Sequence, residues 1–355
     1  MNLAELDRSE LEAALDELGA PKYHGAQIFH WIYRRGVTDF AAMTDLPKEL
    51  RLRLSETCTV STPRIDLAQT SADGTTKYRL VLDDERQIES VFIPDTPAQT
   101  FCISTQVGCA MACAFCLTGK MGLVRNLTAG EIAGQVRVLA RETALAGTSF
   151  NIVLMGMGEP LHNYEATMKA LRILADRRGL GLPPKRVTLS TVGLLPALER
   201  LATEPLMPNL AVSLHATTDE QRTALVPLNK RYDLEALIET CKRFPLARRR
   251  RITFEYVLLA GVNDTPDDAR RLVRLLDGVK AKVNLIPLNE AVGIPFSRPS
   301  DASVDAFARA LADRGLVVSV RRSRGRDIRA ACGQLLVEGE KRSAAQALAS
   351  RMTPR

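Results

Sequence analysis

Three cysteines lie within eight residues of one another, at Cys109, Cys113 and Cys116. Their C-x3-C-x2-C spacing can place three thiolates around one metal centre, but the next histidine after them is only His162. A structural zinc site is normally closed by four protein ligands, and iron-sulfur clusters normally have four thiolate ligands. The triplet therefore predicts a [4Fe-4S] cluster with one iron left free to bind a substrate or cofactor.

Two other interpretations of the triplet remain open from spacing alone. Three neighbouring thiols could form a redox-active group, or they could bind zinc with a fourth ligand from a distant part of the chain. The chain has seven cysteines among 355 residues, an odd and dispersed set that argues against the disulfide framework of a small secreted protein. We expect reduced thiols with chemical roles, and we expect Cys58 and Cys241 to be buried packing residues.

Six segments rich in apolar and β-branched residues predict strands, and each is followed by a stretch with helical periodicity. The predicted strands cover residues 100–105, 150–155, 186–190, 210–214, 252–258 and 282–287. Alternating strands and helices imply a parallel sheet. Helix starts are marked by capping residues at Thr128, Thr218 and Thr265.

Ligands of parallel α/β folds bind at the carboxyl ends of the strands. The first predicted strand leads to the cysteine triplet, and later strands end in residues 156–160, 190–193, 213–215 and 289–290. We therefore expect one site to be built from these strand ends. In the second of them, Gly156 and Gly158 permit close backbone approach, and Glu159 can accept hydrogen bonds from an ammonium group.

The net charge of +7 predicts a polyanionic partner. The arginines cluster in two runs, Arg248 to Arg251 and then Arg321, Arg322, Arg324, Arg326 and Arg329. Such a run is often only a solvated face, but the second run leads directly to Cys332, which favours nucleic acid. The chain has no uninterrupted apolar run of membrane-spanning length and starts with an acidic segment, so we expect a cytoplasmic protein with no membrane contact.

The part of the chain before residue 98 has a different pattern. Up to about residue 55 it predicts short helices, with Ser9 and Glu12 as a capping box, and residues 63–95 alternate like strands. We divide the chain into an RNA-binding helical accessory region over 1–60, a β-meander extension over 61–97, a strand-helix domain over 98–300 and a C-terminal extension over 301–355.

The cysteine triplet, with Phe115 before its last cysteine, resembles the cluster motif of the radical S-adenosylmethionine (SAM) enzymes. The segment from Gly156 to Glu159 resembles the motif that binds the ammonium group of methionine in that superfamily. The resemblance implies an α/β fold with an open partial (βα)6 barrel, a small N-terminal helical and β accessory region and a C-terminal extension. It also implies that the three cysteines hold the [4Fe-4S] cluster and that SAM is bound by Gly158, Glu159, Ser190, Ser213, Leu214, His215 and Asn289.

A more specific resemblance is carried by residues 88–94, 102–109, 156–161 and 329–335, together with residues 22–24 and 43–47. These segments are similar to the RlmN family of dual-specificity RNA methyltransferases, and the likeness covers nearly the whole chain. It implies methylation of adenosine C2 in 23S ribosomal RNA and in transfer RNA, at the adenosine 3′ of the anticodon. It also implies a monomer and an electron donor such as flavodoxin or ferredoxin. Because C2 is an electron-poor ring carbon, radical addition is a reasonable route to it.

The same resemblance assigns roles to three residues outside the triplet. Cys332 takes a methyl group from one SAM, and a radical made from a second SAM removes a hydrogen from that methyl, so two SAM molecules are used per turnover. The methylene radical adds to C2 and joins the RNA to the protein. Glu89 accepts a proton, and Cys102 attacks the Cys332 sulfur to release the base and leave a disulfide. Without the resemblance, Glu89 reads as a solvent-facing carboxylate and Cys102 as a packed strand residue.

Three alternatives stay open at this point. A Cfr-like enzyme shares this set of cysteines and methylates adenosine at C8, and the residues alone do not separate C8 from C2. A radical SAM enzyme acting on a non-RNA substrate is disfavoured by the arginine runs and by the pair Cys102 and Cys332. A zinc-bound RNA-binding module would use the triplet without catalysis.

Overall fold

The computed structural model describes residues 1–94, 98–321 and 323–337. Arg322, which belongs to the second arginine run, and residues 338–355 of the predicted C-terminal extension therefore lie outside the described residues. The chain begins with helices α1 Arg8–Glu17, α2 Tyr23–Tyr33 and α3 Lys48–Thr57. None of the helices in the described ranges is long and apolar enough to cross a membrane.

A ten-stranded sheet forms the centre of the molecule. Its first strands are antiparallel: β1 Arg64–Thr70, β2 Thr76–Val81 and β3 Gln87–Ile93. They continue directly into a parallel part: β4 Thr100–Cys102, β7 Asn151–Leu154, β8 Val187–Thr191, β9 Asn209–Ser213, β10 Ile252–Leu258, β11 Ala281–Pro287 and β12 Val318–Val320. Because β1 and β12 lie at opposite ends of the strand order, the sheet is open, as the partial-barrel prediction requires.

The connections between the parallel strands are mainly helical. They contain α4 Leu117–Met121, α5 Ala129–Glu142, α6 Tyr164–Ala175, α7 Leu195–Leu201, α8 Asp219–Leu225, α9 Leu234–Arg243, α10 Pro266–Leu275 and α11 Asp301–Ala312. The predicted helix starts at Thr128, Thr218 and Thr265 are confirmed, since each of these side chains accepts a backbone N–H of the first turn. Helix α1 instead starts after Asp7, which forms a capping box with Glu10. The capping box predicted at Ser9 and Glu12 is wrong because the carboxylate two residues earlier takes the cap position.

The two faces of the parallel sheet have opposite character, as the pleat requires of alternating residues. Residues of one face are buried against helices and are apolar: Ile152, Leu154, Leu189, Leu210, Val212, Phe254, Val283 and Leu285. The strand register aligns Ser213, Glu255, Asn284 and Ser319 in one row across the other face. This row of polar side chains, set among apolar inner-face residues such as Val257 and Ile286, suits a ligand cavity, while the apolar outer face holds the helices in place.

All six predicted parallel strands are present, although their ends shift by a few residues. The strand predicted over 100–105 ends at Cys102, and its continuation leaves the sheet to form a separate hairpin, β5 Gln106–Cys109 and β6 Gly122–Asn126. Strand β12 was not predicted, because it is three residues long and lies at the half-exposed edge of the sheet. Within the described residues the parallel part therefore has seven strands rather than six.

Candidate active site

The cysteine triplet is carried by the β5–β6 hairpin, which projects from the carboxyl end of β4. Strand β5 ends at Cys109, and Cys116 is the residue before α4. The hairpin depends on Gly108, which has a φ of 76° and faces the opposite strand so closely that a Cβ would lie 1.9 Å from the Gly122 carbonyl oxygen. The glycine thus fixes the close approach that closes the loop around the three thiols.

The thiols of the triplet are largely removed from solvent. Cys113 is buried, and Cys109 and Cys116 are half-buried. Burial raises the pKa of all three, that of Cys109 to about 12. The free thiols are therefore protonated at neutral pH, and binding of a metal centre must displace their protons.

One cavity of about 150 Å³ lies beneath the triplet, at the carboxyl ends of the parallel strands. It is lined by Cys109, Cys113, Cys116, Gly158, Glu159, Ser190, Ser213, His215, Asn289 and Cys332, among others. The amide oxygen of Asn289 is buried and has no hydrogen-bond partner within the described residues, so it is available to a ligand donor. The structure brings these residues to one cavity, and their role as a binding site stays a prediction.

The donor set fits an iron-sulfur cluster, because thiolates are the usual ligands of such clusters. The three thiols border one shared cavity, and in a multi-iron cluster different cysteines bind different irons.

Two backbone hydrogen bonds hold the carboxylate of Glu159 at the wall of this cavity. Its Oε1 accepts the Leu161 N–H at 3.0 Å, and its Oε2 accepts the Val192 N–H at 3.0 Å. Burial raises the pKa of Glu159 to about 7, against these backbone donors. Gly158, with a φ of 102°, lies so close to Gln106 that a Cβ would be 2.6 Å from the Gln106 Cβ. The Thr191 hydroxyl also donates to this carboxylate, so one of its four lone pairs is left for an ammonium donor.

His215 is the strand-end residue with the most unusual backbone, with a φ of 60°. The Val257 N–H donates to its Nδ1 at 3.0 Å, which places the ring proton on Nε2. Burial, and then the charge of Arg222, lower the pKa of His215 to about 3, so the imidazole is neutral at physiological pH. Leu214 is different: its side chain is fully buried and does not line the cavity, and its N–H donates to the Glu255 carbonyl at 3.0 Å.

Cys102 and Cys332 meet at a second, smaller cavity of about 20 Å³. Both are free thiols. Cys102 is buried in β4, whereas Cys332 lies in an irregular stretch, residues 330–337, which we call the Cys332 segment. Cys332 lines both this cavity and the larger one beneath the triplet. It is therefore the thiol that connects the proposed cluster and SAM cavity to Cys102.

Arg321 lies beside both thiols and lines both cavities. Burial, followed by the charge of Cys332, raises the pKa of Cys102 to about 12, while Arg321 lowers it. In return Cys332, then Glu255 and Cys102, raise the pKa of Arg321. A guanidinium facing two thiols stabilises whichever of them is ionised.

Glu89 lies on the same sheet face as Cys102 but borders a different cavity, of about 370 Å³. The register pairs Val91 with Cys102, and Glu89 is two residues before Val91 in β3. Glu89 is nearly buried and makes an ion pair with Lys77 at 2.9 Å. Burial raises the pKa of Glu89 against the effect of Lys77. The structure therefore places Glu89 two residues from the register partner of Cys102, on the same sheet face, without placing it on the wall of the thiol cavity.

Comparison with known proteins identifies the family of this chain. Residues 1–60 match the family described as ribosomal RNA large subunit methyltransferase N-terminal domain, and residues 103–276 match the radical SAM superfamily. A dual-specificity RNA methyltransferase RlmN of Geobacter sulfurreducens is 52% identical over 93% of this chain and 90% of its own length. The RlmN of Pelobacter propionicus is 48% identical over 94% of this chain and 95% of its own length. The chain belongs to the RlmN family.

A solved structure supports the same assignment. A radical SAM methyltransferase from Sphaerobacter thermophilus superposes with a TM-score of 0.90 at 48% identity, over 94% of this chain and 99% of its own. The predicted family and fold class are thereby confirmed. Membership of the radical SAM superfamily carries with it a [4Fe-4S] cluster and SAM, and the cavity beneath Cys109, Cys113 and Cys116 has the donors to hold them.

Sequence reasoning missed several residues that this RlmN-family chain brings to the site. Arg321 was hidden in a basic run that is typical of an exposed face. Lys77 lies on an alternating strand, where a lysine gives no signal of burial, yet its side chain is only 11% exposed. Glu255 could have been suspected, because a carboxylate inside an apolar strand is rarely buried without a purpose.

Proposed function

We propose that this protein is a radical SAM methyltransferase that methylates C2 of adenosine in 23S ribosomal RNA and in transfer RNA, at the adenosine 3′ of the anticodon. The observation that carries the proposal is the position of Cys332, whose side chain borders both the cavity beneath the cysteine triplet and the cavity that contains Cys102. A thiol in that position can collect a methyl group in one cavity and be attacked by a second thiol in the other.

Cys332 acts first as a nucleophile in this proposal. Its thiolate forms an S–CH₃ bond as the methyl–sulfonium bond of one SAM breaks. The cluster and a second SAM, when bound, supply the hydrogen-abstracting radical that turns this methyl group into a methylene radical. The Cys332 methylene adds to C2 of the adenine, which links RNA and protein through one carbon.

Two further residues complete the reaction. Glu89 accepts the proton that leaves C2, and its raised pKa makes it a better proton acceptor than a surface glutamate. The unpaired electron of the adduct must leave together with this proton, and the cluster, when bound, would accept it. The Cys102 thiolate then attacks the Cys332 sulfur, so an S–S bond forms as the S–CH₂ bond breaks. The freed carbon takes a proton and becomes the methyl group, and external reductant restores both thiols.

The SAM-binding role is assigned to the residues of the larger cavity. Glu159 and the backbone at Gly158 receive the ammonium group, while Ser190, Ser213, His215 and Asn289 bind the remaining polar groups of SAM. Leu214 contributes through its backbone alone, because its side chain is buried in the core.

The proposal also covers the regions of the chain, the location of the protein and its source of electrons. Residues 1–60 form the RNA-binding accessory region, residues 61–97 the β extension, residues 98–300 the radical SAM domain and residues 301–355 the C-terminal extension. The protein works as a cytoplasmic monomer, uses two SAM molecules per turnover and receives electrons from a flavodoxin- or ferredoxin-type donor.

Nucleoside mass spectrometry tests this function. Unmodified 23S RNA and transfer RNA are incubated anaerobically with reconstituted protein, SAM and a reductant, and then digested to nucleosides. The proposal predicts 2-methyladenosine from both RNAs. Formation of 8-methyladenosine, or of no methylated adenosine by a protein that still cleaves SAM, contradicts it.

A further inference from the structure

The Cys332 segment is held in place by contacts with distant parts of the chain rather than by a strand ladder. The Leu117 N–H donates to the Gly333 carbonyl at 2.8 Å, and the Asn289 amide donates to the Cys332 carbonyl at 3.3 Å. The Gln334 amide in turn donates to the Glu290 carbonyl at 2.9 Å. Ala330, Leu335 and Val337 of the segment also pack in the hydrophobic core, and these hydrogen bonds add direction to that packing.

Two further contacts act on a single peptide group, the one between Leu335 and Leu336. Its carbonyl accepts the Thr118 hydroxyl at 2.7 Å, and its N–H donates to Glu89 Oε2 at 2.9 Å. Thr118 is buried in α4, directly after the cysteine triplet, and Glu89 is buried in β3. One peptide plane is thus held between the helix that follows the proposed cluster ligands and the strand that carries the proposed proton acceptor.

The Glu89 contact depends on charge. Glu89 Oε1 pairs with Lys77 Nζ at 2.9 Å, and the two side chains are only 6% and 11% exposed. Arg79 lies opposite Glu89 in the register of β2 and β3, and Asp327 and Arg329 line the same cavity. A hydrogen bond to a carboxylate is about twice as strong as one to a neutral acceptor, so a proton on Glu89 weakens both the Lys77 pair and the bond to Leu336.

We propose that Thr118 and Glu89 are positioning residues for Cys332, and that the proton which Glu89 accepts during methyl transfer loosens the Cys332 segment when Cys102 must reach the Cys332 sulfur. This inference rests on the proposed function. In this step a proton moves from C2 to a carboxylate oxygen of Glu89. Both oxygens of the carboxylate have a lone pair beyond their present contact. The Leu336 N–H thereby loses its charged acceptor, and no bond to sulfur changes. The proton later leaves to water in the cavity that Glu89 lines.

We call the hold of Thr118 and Glu89 on the Leu335–Leu336 peptide group the clamp. Hydrogen exchange of the full-length, cluster-reconstituted protein without RNA tests it. Glu89→Gln mimics the protonated carboxyl, and Thr118→Val removes the hydroxyl at nearly constant volume. In both variants we expect the Leu336 amide to exchange about tenfold faster than in the wild type, and Cys332 to be alkylated faster by iodoacetamide. Thr118→Ser, which keeps the hydroxyl, should restore slow exchange.

The matched control is Glu85→Gln, in the exposed turn between β2 and β3, which should leave exchange at Leu336 unchanged. Leu336 exchange within twofold of wild type in both Glu89→Gln and Thr118→Val overturns the clamp, whatever the protein does to RNA. A second readout is the rate at which a mild oxidant forms the Cys102–Cys332 disulfide. Faster exchange in Glu89→Gln without faster disulfide formation overturns the link to the resolving step. Because neither readout uses RNA, failure of the proposed methylation is recognised separately, by the absence of methyladenosine.

Discussion

Arg321 shows how a single residue prepares the thiol chemistry. In the proposed reaction Cys102 must ionise to attack Cys332, but burial raises the pKa of Cys102 to about 12, which leaves little thiolate at neutral pH. Arg321 opposes this effect, because its positive charge favours the ionised form. We therefore propose that the charge of this arginine assists the resolving step.

Arg321→Met should raise the pKa of Cys102 further, since the mutation removes the nearby positive charge and keeps most of the side-chain volume. At fixed pH, alkylation of Cys102 should slow by about tenfold, which corresponds to a pKa shift of about one unit. The midpoint of the rate against pH should move upward. Arg326→Met, at an exposed position of the same run, is the control. An unchanged Cys102 midpoint in Arg321→Met would refute the electrostatic role.

Cys102 itself should be needed for release and not for capture of the RNA. Cys102→Ala retains Cys332, so the methylene bridge to C2 still forms, but the S–CH₂ bond has no thiol to break it. We expect RNA to remain covalently attached to the protein on a denaturing gel. Cys332→Ala, which has no methyl acceptor, should bind iron normally and trap no RNA. Normal turnover by either variant contradicts the assigned roles.

Among the secondary-structure elements, the β5–β6 hairpin positions the cysteine triplet. Sequence periodicity found the parallel strands because their apolar and β-branched runs are continuous, but it extended the first strand through the hairpin. The break after Cys102 was not predictable, because it follows from the packing of Ser104 and Gln106 against the Gly156–Glu159 turn, about fifty residues later. The ligand residues at strand ends were predictable because parallel topology alone brings them together.

The contacts of the Cys332 segment lay beyond sequence reasoning for a related reason. Glu89 and Leu336 are joined by a backbone N–H, and a backbone donor leaves no mark in the amino-acid sequence. The family resemblance located Cys332 and Glu89 individually. Only the folded chain shows that Glu89 holds the segment that carries Cys332.

Gly108→Ala should disrupt the hairpin and with it the cluster. The new Cβ would lie 1.9 Å from a backbone oxygen at a φ of 76°, so strain of about 1–3 kcal/mol from the backbone angle adds to a clash that flexible side chains cannot relieve. We expect iron content after reconstitution to fall well below that of the wild type, with a lower unfolding temperature. Gly147→Ala has the same left-handed backbone, at a φ of 88°, but no atom within 4 Å, so it should keep its iron. Full iron loading of Gly108→Ala would show that the hairpin geometry is not required.

In the molecule as a whole, the candidate site lies at one end of the parallel strands, and the first arginine run lies at the other. The cysteine triplet and the other cavity residues lie at the carboxyl ends of the strands, whereas Arg248 to Arg251 immediately precede β10 and so lie at the amino ends. Arg324 borders the thiol cavity, and the exposed Arg326 borders another cavity that shares Arg321 and Ser323 with it. The two arginine runs of the sequence therefore have different surroundings, in agreement with the link between the second run and Cys332 in the sequence.

RNA binding should report this difference through its dependence on salt. Each lost phosphate contact reduces the steepness of log K against log salt by about 0.7–0.9. Changing Arg324 and Arg326 together to Gln should reduce the slope by about 1.5 and weaken binding. The same change at Arg248 and Arg249, with an equal loss of charge, should leave the slope unchanged. Equal effects of the two pairs would mean that RNA does not approach from the carboxyl ends of the strands.

The most direct test of the central claim, that Cys332 carries the carbon delivered to RNA, uses SAM with a trideuterated methyl group. The protein, cleared of any methyl group bound beforehand, is incubated anaerobically with this SAM, reductant and unmodified RNA, and both the Cys332 peptide and the nucleosides are analysed by mass spectrometry. The account predicts a CD₃ group on Cys332 and a 2-methyladenosine whose methyl group has two deuterium atoms and one hydrogen, because a methylene is transferred and then protonated. A methyl group that reaches adenosine with all three deuterium atoms, or a Cys332 that is never methylated, would contradict it.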